Sequence, residues 1–319
     1  MNFIKRFIGL IVTIISIGTI LLVWFYRQDI YDWWRLRDYS PPHSVVALAD
    51  RTTMTDKGRK IFYVNRPAIS DASEFNTECS QETSIVLGCY APGVGIFLYN
   101  VEDQRLVGVK EVTAAHEMLH AAYDRLSNED RKRVDNLTQQ AYAGVTNERI
   151  KKTVEKYKTV DPGVVPNELH SILATEVKEL PPELEAYYKQ YFKNRTAVVA
   201  LSDQYESEFS NRQNQVADYD NQLAQLKIQV EASKNDLAVQ YSALTSEKRR
   251  LDSLLNGGDV STYNQNVPAF NEQVKQYNVS VKEADKLINS YNSIVEKRNS
   301  IAVEVQDLAE AIDSRPQTF

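Results

Sequence analysis

Apolar and polar positions divide the chain into stretches of different period. Phe7 to Tyr26 is an unbroken run of twenty uncharged, mostly apolar residues. As a helix rising about 1.5 Å per residue it would match the roughly 30 Å hydrocarbon core of a bilayer. Lys5 and Arg6 precede the run, and Trp24, Phe25, Tyr26, Trp33 and Trp34 crowd its far end like an interfacial aromatic belt. The run exceeds the ~7–15 apolar residues of a signal-peptide core, and no small-x-small cleavage site follows. The pattern predicts a cytoplasmic tail at 1–6 and a transmembrane anchor at 7–26. A linker at 27–43 then leads to the bulk of a single-pass cell-membrane protein, placed extracytoplasmically.

From residue 44 to 195 the periods mix. Ser44 to Thr55 has helical spacing, and Ile61 to Val64 reads as a short strand ended by Pro67. Ser84 to Tyr90 and Val94 to Val101 are β-rich runs around the turn signal Ala91-Pro92-Gly93. Val112 to Leu126 predicts a helix whose alanines at 114, 115, 121 and 122 allow close packing. Further helices are expected at about 127–143, 168–180 and 183–193.

Residues 196–319 change character. Apolar residues recur every seven positions at Phe209, Val216, Leu223, Val230, Leu237, Leu244 and Leu251, with Tyr205, Tyr219, Leu226 and Leu254 in a second seam. After Gly257-Gly258, steps of four and three join Phe270, Val274, Tyr277, Val281, Ala284, Ile288, Tyr291 and Val295. Two heptad runs around a Gly pair predict an antiparallel coiled-coil hairpin over 196–319. Polar seam positions Ser233, Gln240 and Glu247 suggest a coil completed by a protein partner. Two long helices packed on the preceding domain are the alternative.

This C-terminal block holds 12 basic and 18 acidic residues, so it accounts for the whole net charge of −6. An acidic balance with no long basic run argues against nucleic acid as a partner. Two cysteines are too few for a disulfide scaffold or a four-cysteine zinc module. Cys79 and Cys89 flank a short polar loop, and a disulfide between them would close a small hairpin. Two unrelated thiols are the alternative.

The strongest chemical signal is His116-Glu117-Met118-Leu119-His120. Four residues apart on a helix, the two histidines share a face and offer two imidazoles to one metal ion. Glu117 stands beside them as a general base for a water whose pKa zinc lowers toward ~7. This HExxH arrangement predicts a zinc (Zn) cofactor held by His116 and His120, with Glu117 catalytic. The alternative is a chance pair of surface histidines beside a solvated Glu.

On this motif the chain resembles the zincin metallopeptidases. The resemblance covers about residues 44–195. It implies an α+β fold with a small mixed sheet whose edge strand lies over the active-site helix, for which 94–101 is the candidate. Ala121 to Leu126 lack the metzincin Gly and third His. Asn167-Glu168-Leu169-His170-Ser171 instead fits the gluzincin N-E-x-x-[SA] pattern and implies Glu168 as third ligand. Glu176 and His170 remain alternatives. Gluzincins add an acidic residue four after that Glu, where this chain has Ile172. Tyr187, Tyr188, Tyr191 and Arg195 read as an aromatic packing stripe, with oxyanion stabilisation as the alternative. His43, beside Pro41-Pro42, reads as a surface residue.

The expected function is a membrane-tethered, extracytoplasmic zinc endopeptidase acting on a peptide or protein substrate. The alternative is a non-catalytic coiled-coil envelope adaptor carrying a degenerate HExxH domain. A cell-wall hydrolase ranks below both, since its usual zinc ligand patterns differ. No GxSxG or P-loop supports nucleophilic or nucleotide chemistry.

Overall fold

The computed structural model describes residues 2–79 and 86–315, and among residues 2–14 it describes only the side chain of Thr13. Two compact units divide the chain, one of residues 1–208 and 310–319 and one of residues 209–309.

Helices dominate the first unit. They are α1 (Asn2–Phe25), α2 (Arg27–Leu36), α3 (His43–Arg51), α4 (Asp56–Val64), α5 (Ala72–Glu78), α6 (Val109–Asp124), α7 (Asn128–Ala143), α8 (Glu148–Val160), α9 (Val165–Glu176) and α10 (Pro182–Tyr188). Side-chain caps start several of them: Thr55 accepts from the Gly58 amide, Asp71 from Glu74 and Ser127 from Asp130. Among the described residues the strands are β1 (Ala68–Ser70), β2 (Gly88–Ala91) and β3 (Gly95–Tyr99), in the order β1-β3-β2. β1 runs parallel to β3, and β2 pairs antiparallel to it with Cys89 opposite Phe97. The β2–β3 turn closes with the Val94 amide donating to the Ala91 carbonyl, and Gly93 takes the positive φ of 76° that this turn requires.

The core centres on α6. It packs against α9, against β2 and β3, and against α3 and α4. Ala114, Ala115, Ala121 and Ala122 are fully or almost fully buried, which brings α9 close; Met118, Leu119, Ile96, Leu98, Phe62 and Leu173 fill the space around them. Gly108 precedes α6 with a φ of 106°, and a Cβ there would stand 2.7 Å from the Leu201 carbonyl, so two constraints converge on glycine. Arg125, the residue capping α6, forms a two-pronged pair with buried Asp32 of α2, both contacts at 3.0 Å. Near the other end of the chain, the Ser314 hydroxyl donates to the Val86 carbonyl at 2.7 Å, and the Asn76 amide donates to the Ser314 carbonyl.

Several expectations are corrected. The α+β expectation is corrected to a mostly helical fold: the β-rich runs supply only the short β2 and β3 among the described residues, and Ile61 to Val64, read as a strand, is helical. Ile61 to Val64 forms the second half of α4, where the Thr55 cap and the i, i+3, i+4 spacing of buried Gly58, Ile61 and Phe62 outweigh the β propensity of the run. Residues 27–36, read as linker, are helical. The transmembrane anchor at 7–26 and the single-pass, extracytoplasmic placement built on it are withdrawn. Among the described residues no helix is long and apolar enough to cross a membrane. Residues 7–12 and 14 of that run lie outside the described side chains. The tail at 1–6 lies outside the described side chains too.

Residues 209–309 form a helical hairpin from α11 (Arg195–Asn256) and α12 (Val260–Ala311). Gly258, at a φ of 81°, ends the first helix, and Asp259 caps the second through the Thr262 amide. The helices run antiparallel, as the pairs Arg212–Glu304, Asp220–Arg298, Gln240–Ser280 and Arg250–Asn266 require. Leu251 and Ala284 are buried and the rest of the heptad seam is half-buried. Leu287 occupies the seam while Ile288, expected there, is 43% exposed.

Candidate metal centre

His116 and His120 lie on the face of α6 that meets α9, and Glu168 projects toward them from the first turn of α9. His116 Nε2 stands 3.6 Å from Glu168 Oε2, and His120 Nε2 stands 3.6 Å from Glu168 Oε1. Donor atoms of these three residues fall within 4.8 Å of one another. Ligands on a tetrahedral zinc with bonds of about 2.0–2.1 Å stand about 3.3 Å apart, so the pocket is the right size for the ion. Glu168 Oε2 is buried with no hydrogen-bond partner among the described residues, an arrangement that is costly unless a cation satisfies it. Two imidazoles and a carboxylate are also a donor set that zinc favours.

The electrostatics follow from this crowding. Burial opposes charge on His116, but the Glu168 and Glu117 carboxylates outweigh it and lift the imidazole to about 9. Burial and the neighbouring His116 push His120 down to about 4. Burial acts to raise the Glu168 carboxyl, yet the histidines and the Tyr157 hydroxyl hold it below its ordinary value.

The other candidates are engaged by different partners. Glu176, on the last turn of α9, is held by Arg149 at 2.6 Å, and Arg149 also pairs with Glu206 at 3.1 Å. His170 is fully buried, with Nε2 2.9 Å from the Tyr187 hydroxyl and its ring among Tyr123, Tyr187, Tyr188 and Tyr191. Residues two apart on a helix diverge by about 200°, so His170 faces away from the site that Glu168 enters. The tyrosines of the 187–191 stripe pack around His170. Arg195 bonds Glu185 and the carbonyls of Leu173, Ala174, Val177 and Lys178. These side chains form a packing and capping cluster outside the cleft. Ile172, standing where gluzincins carry an acid, is buried in the core. The histidine contact on that helix comes from Ser171, whose Oγ lies 3.4 Å from His120 Nδ1. His43 begins α3 and is exposed.

The site opens into a cleft of about 560 Å³. One wall is β2, whose only sheet neighbour among the described residues is β3. The edge strand over the motif is therefore β2, and β3, the expected edge, is the central strand. Gly88 of β2 sits directly over Glu117, with room for no side chain. The disulfide between Cys79 and Cys89 ties β2 to the end of α5, and Cys89 lines the cleft. Tyr157 of α8, Asn167 and Arg131 of α7 complete much of the opposite side. Sequence reasoning missed Gly88, although a lone glycine in a strand signals close backbone approach. It also missed Tyr157 and Arg131, which carry no local pattern.

No protein-family model, curated protein or solved structure matches the chain.

Proposed function

We propose that this chain is a zinc-dependent endopeptidase. The observation that carries the reading is the convergence of His116, His120 and Glu168, with a Glu168 oxygen buried and unsatisfied. Zinc held by these residues supplies a Lewis acid that polarises a carbonyl and acidifies water. Glu117, 6% exposed on the same helix, takes the proton from the attacking water and passes it to the leaving amine. β2 is suited to align an extended peptide by strand addition along its outer edge.

The test is zinc quantitation and peptide hydrolysis on the full chain. Wild type is expected to hold one zinc and His116→Ala to lose it. Glu117→Gln should keep the metal while turnover falls by about 10²–10⁴-fold. A metal-free wild type, or full turnover in Glu117→Gln, would defeat the reading. Metal-free protein would favour the alternative of an adaptor whose working part is the hairpin.

A further inference from the structure

The charged residues lining the cleft are unequal in sign. Glu117, Asp124, Glu168 and Glu176 are acidic, and Arg131 is the one Arg or Lys among the described lining residues. Two nearby arginines are committed elsewhere, Arg125 to Asp32 and Arg149 to Glu176 and Glu206. Arg131 is held from two sides by the end of α6. Its guanidinium carbon lies 4.7 Å from the centre of the Tyr123 ring, and its Nη2 donates to the Tyr123 carbonyl at 3.3 Å. Its nearest carboxylate, Asp124, stands at 4.0 Å, beyond hydrogen-bond reach. Its Nε is buried with no hydrogen-bond partner among the described residues. Tyr123 follows His120 by three residues, about 4.5 Å along the helix axis, so the guanidinium sits near the His120 end of the motif.

We propose that Arg131 is the specificity-determining residue of this cleft and receives a carboxylate of the peptide substrate. This rests on the peptidase reading above. The planar fork of a guanidinium matches the two oxygens of a carboxylate, and stacking on Tyr123 fixes its plane in advance. Among the Arg and Lys side chains, Arg131 alone lines the described cleft, so it is the side chain placed to fix the register of an acidic chain away from the zinc ligands. Glu and Asp side chains and the C-terminal carboxylate of a peptide present the same chemistry.

The experiment uses three fluorescein-labelled heptapeptides of otherwise identical sequence. One has a central Glu and an amidated C-terminus, one a central Gln and an amidated C-terminus, and one a central Gln and a free C-terminal carboxylate. Affinity is read by fluorescence anisotropy on the zinc-loaded full chain carrying Glu117→Gln, and KM is read on wild type. At least one acidic peptide should bind about ten- to a hundred-fold more tightly than the neutral one, the range of a charge-assisted hydrogen bond. Which of the two wins identifies the carboxylate. Adding Arg131→Gln should bring the acidic-to-neutral ratio near one, and Arg131→Glu should invert it. Equal affinity for all three peptides, or a ratio unmoved by Arg131→Gln, would overturn the proposal. An equal loss on every peptide belongs to the second case and would mean that Arg131 only braces α6. If wild type cleaves none of the peptides, the peptidase reading fails, while the anisotropy ratio still decides the role of Arg131.

Discussion

A Cβ built on Gly88 would stand 3.0 Å from Glu117 Cγ and 2.5 Å from Thr113 Cγ2. The edge strand and Glu117, the proposed general base, thus approach each other where a side chain is missing. Gly88→Ala should force β2 away from α6 or turn Glu117 aside. A displacement near 1 Å at a catalytic group can cost about a hundred-fold in rate, and overpacking itself costs about 1–3 kcal/mol. The expected result is a large fall in kcat with zinc retained. Adding Thr113→Ser removes the closer methyl and should restore part of the loss. Normal kcat in Gly88→Ala would show that β2 yields without disturbing Glu117.

Glu168→Ala should abolish stoichiometric zinc binding, and Glu176→Ala should preserve it. The second variant instead leaves Arg149 with Glu206 alone and should lower stability. Zinc titration and urea denaturation on both variants separate the roles. Zinc lost from Glu176→Ala and kept in Glu168→Ala would move the third ligand two turns along α9.

Asp32 gives a pH dependence remote from the metal. Burial would raise its carboxyl, but Arg125, Gln28 and Lys60 outweigh that and hold it below the ordinary Asp range. A depressed folded pKa means stability that is present above the unfolded value and lost as pH falls through the folded one. Asp32→Ala should cost about 3–5 kcal/mol at neutral pH, the range for breaking a buried pair. The gap to wild type should narrow as pH falls below about 4. Urea titrations from pH 7 to 2.5 measure this, and a constant gap would refute it.

The disulfide should matter locally. Replacing Cys79 and Cys89 together by Ser should cost about 2–4 kcal/mol. Hydrogen exchange should quicken at the β2 amides more than at those of α9. Equal acceleration in both would mean that the bridge serves the whole unit and not the strand.

How much of this was legible in the sequence depended on whether the signal was local. His116, Glu117 and His120 could be read because helical spacing alone puts the histidines on one face. The helix runs from Val109 to Asp124, close to the 112–126 expected. Glu168 needed a second helix, and its motif context supplied one. Ile61 to Val64 was misread because four apolar residues fit either period, and the cap that decides lies six residues earlier at Thr55. The order of the sheet could not be read at all. β1 joins β3 on the side away from β2, and nothing local to 94–101 reveals that this makes it central. Tyr187 and its neighbours were legible as a packing stripe, and tertiary packing adds that what they surround is His170.

The bond from Ser314 to Val86 also orders events in time. It joins residues 228 apart in sequence, and Val86 leads into the strand that roofs the motif. During synthesis at about 5–20 residues per second, the His-Glu-His helix and its partner α9 are complete well before residue 314 is made. The segment at Val86 must wait for it, several seconds or more. The intervening hairpin shortens that wait in another sense. Once its two helices zip, Arg212 and Glu304 are paired, and the chain that must still close on Val86 behaves as a loop far shorter than its sequence. Slow zipping of the hairpin would then delay the Ser314–Val86 closure beside the cleft, although the hairpin supplies none of the described cleft-lining residues.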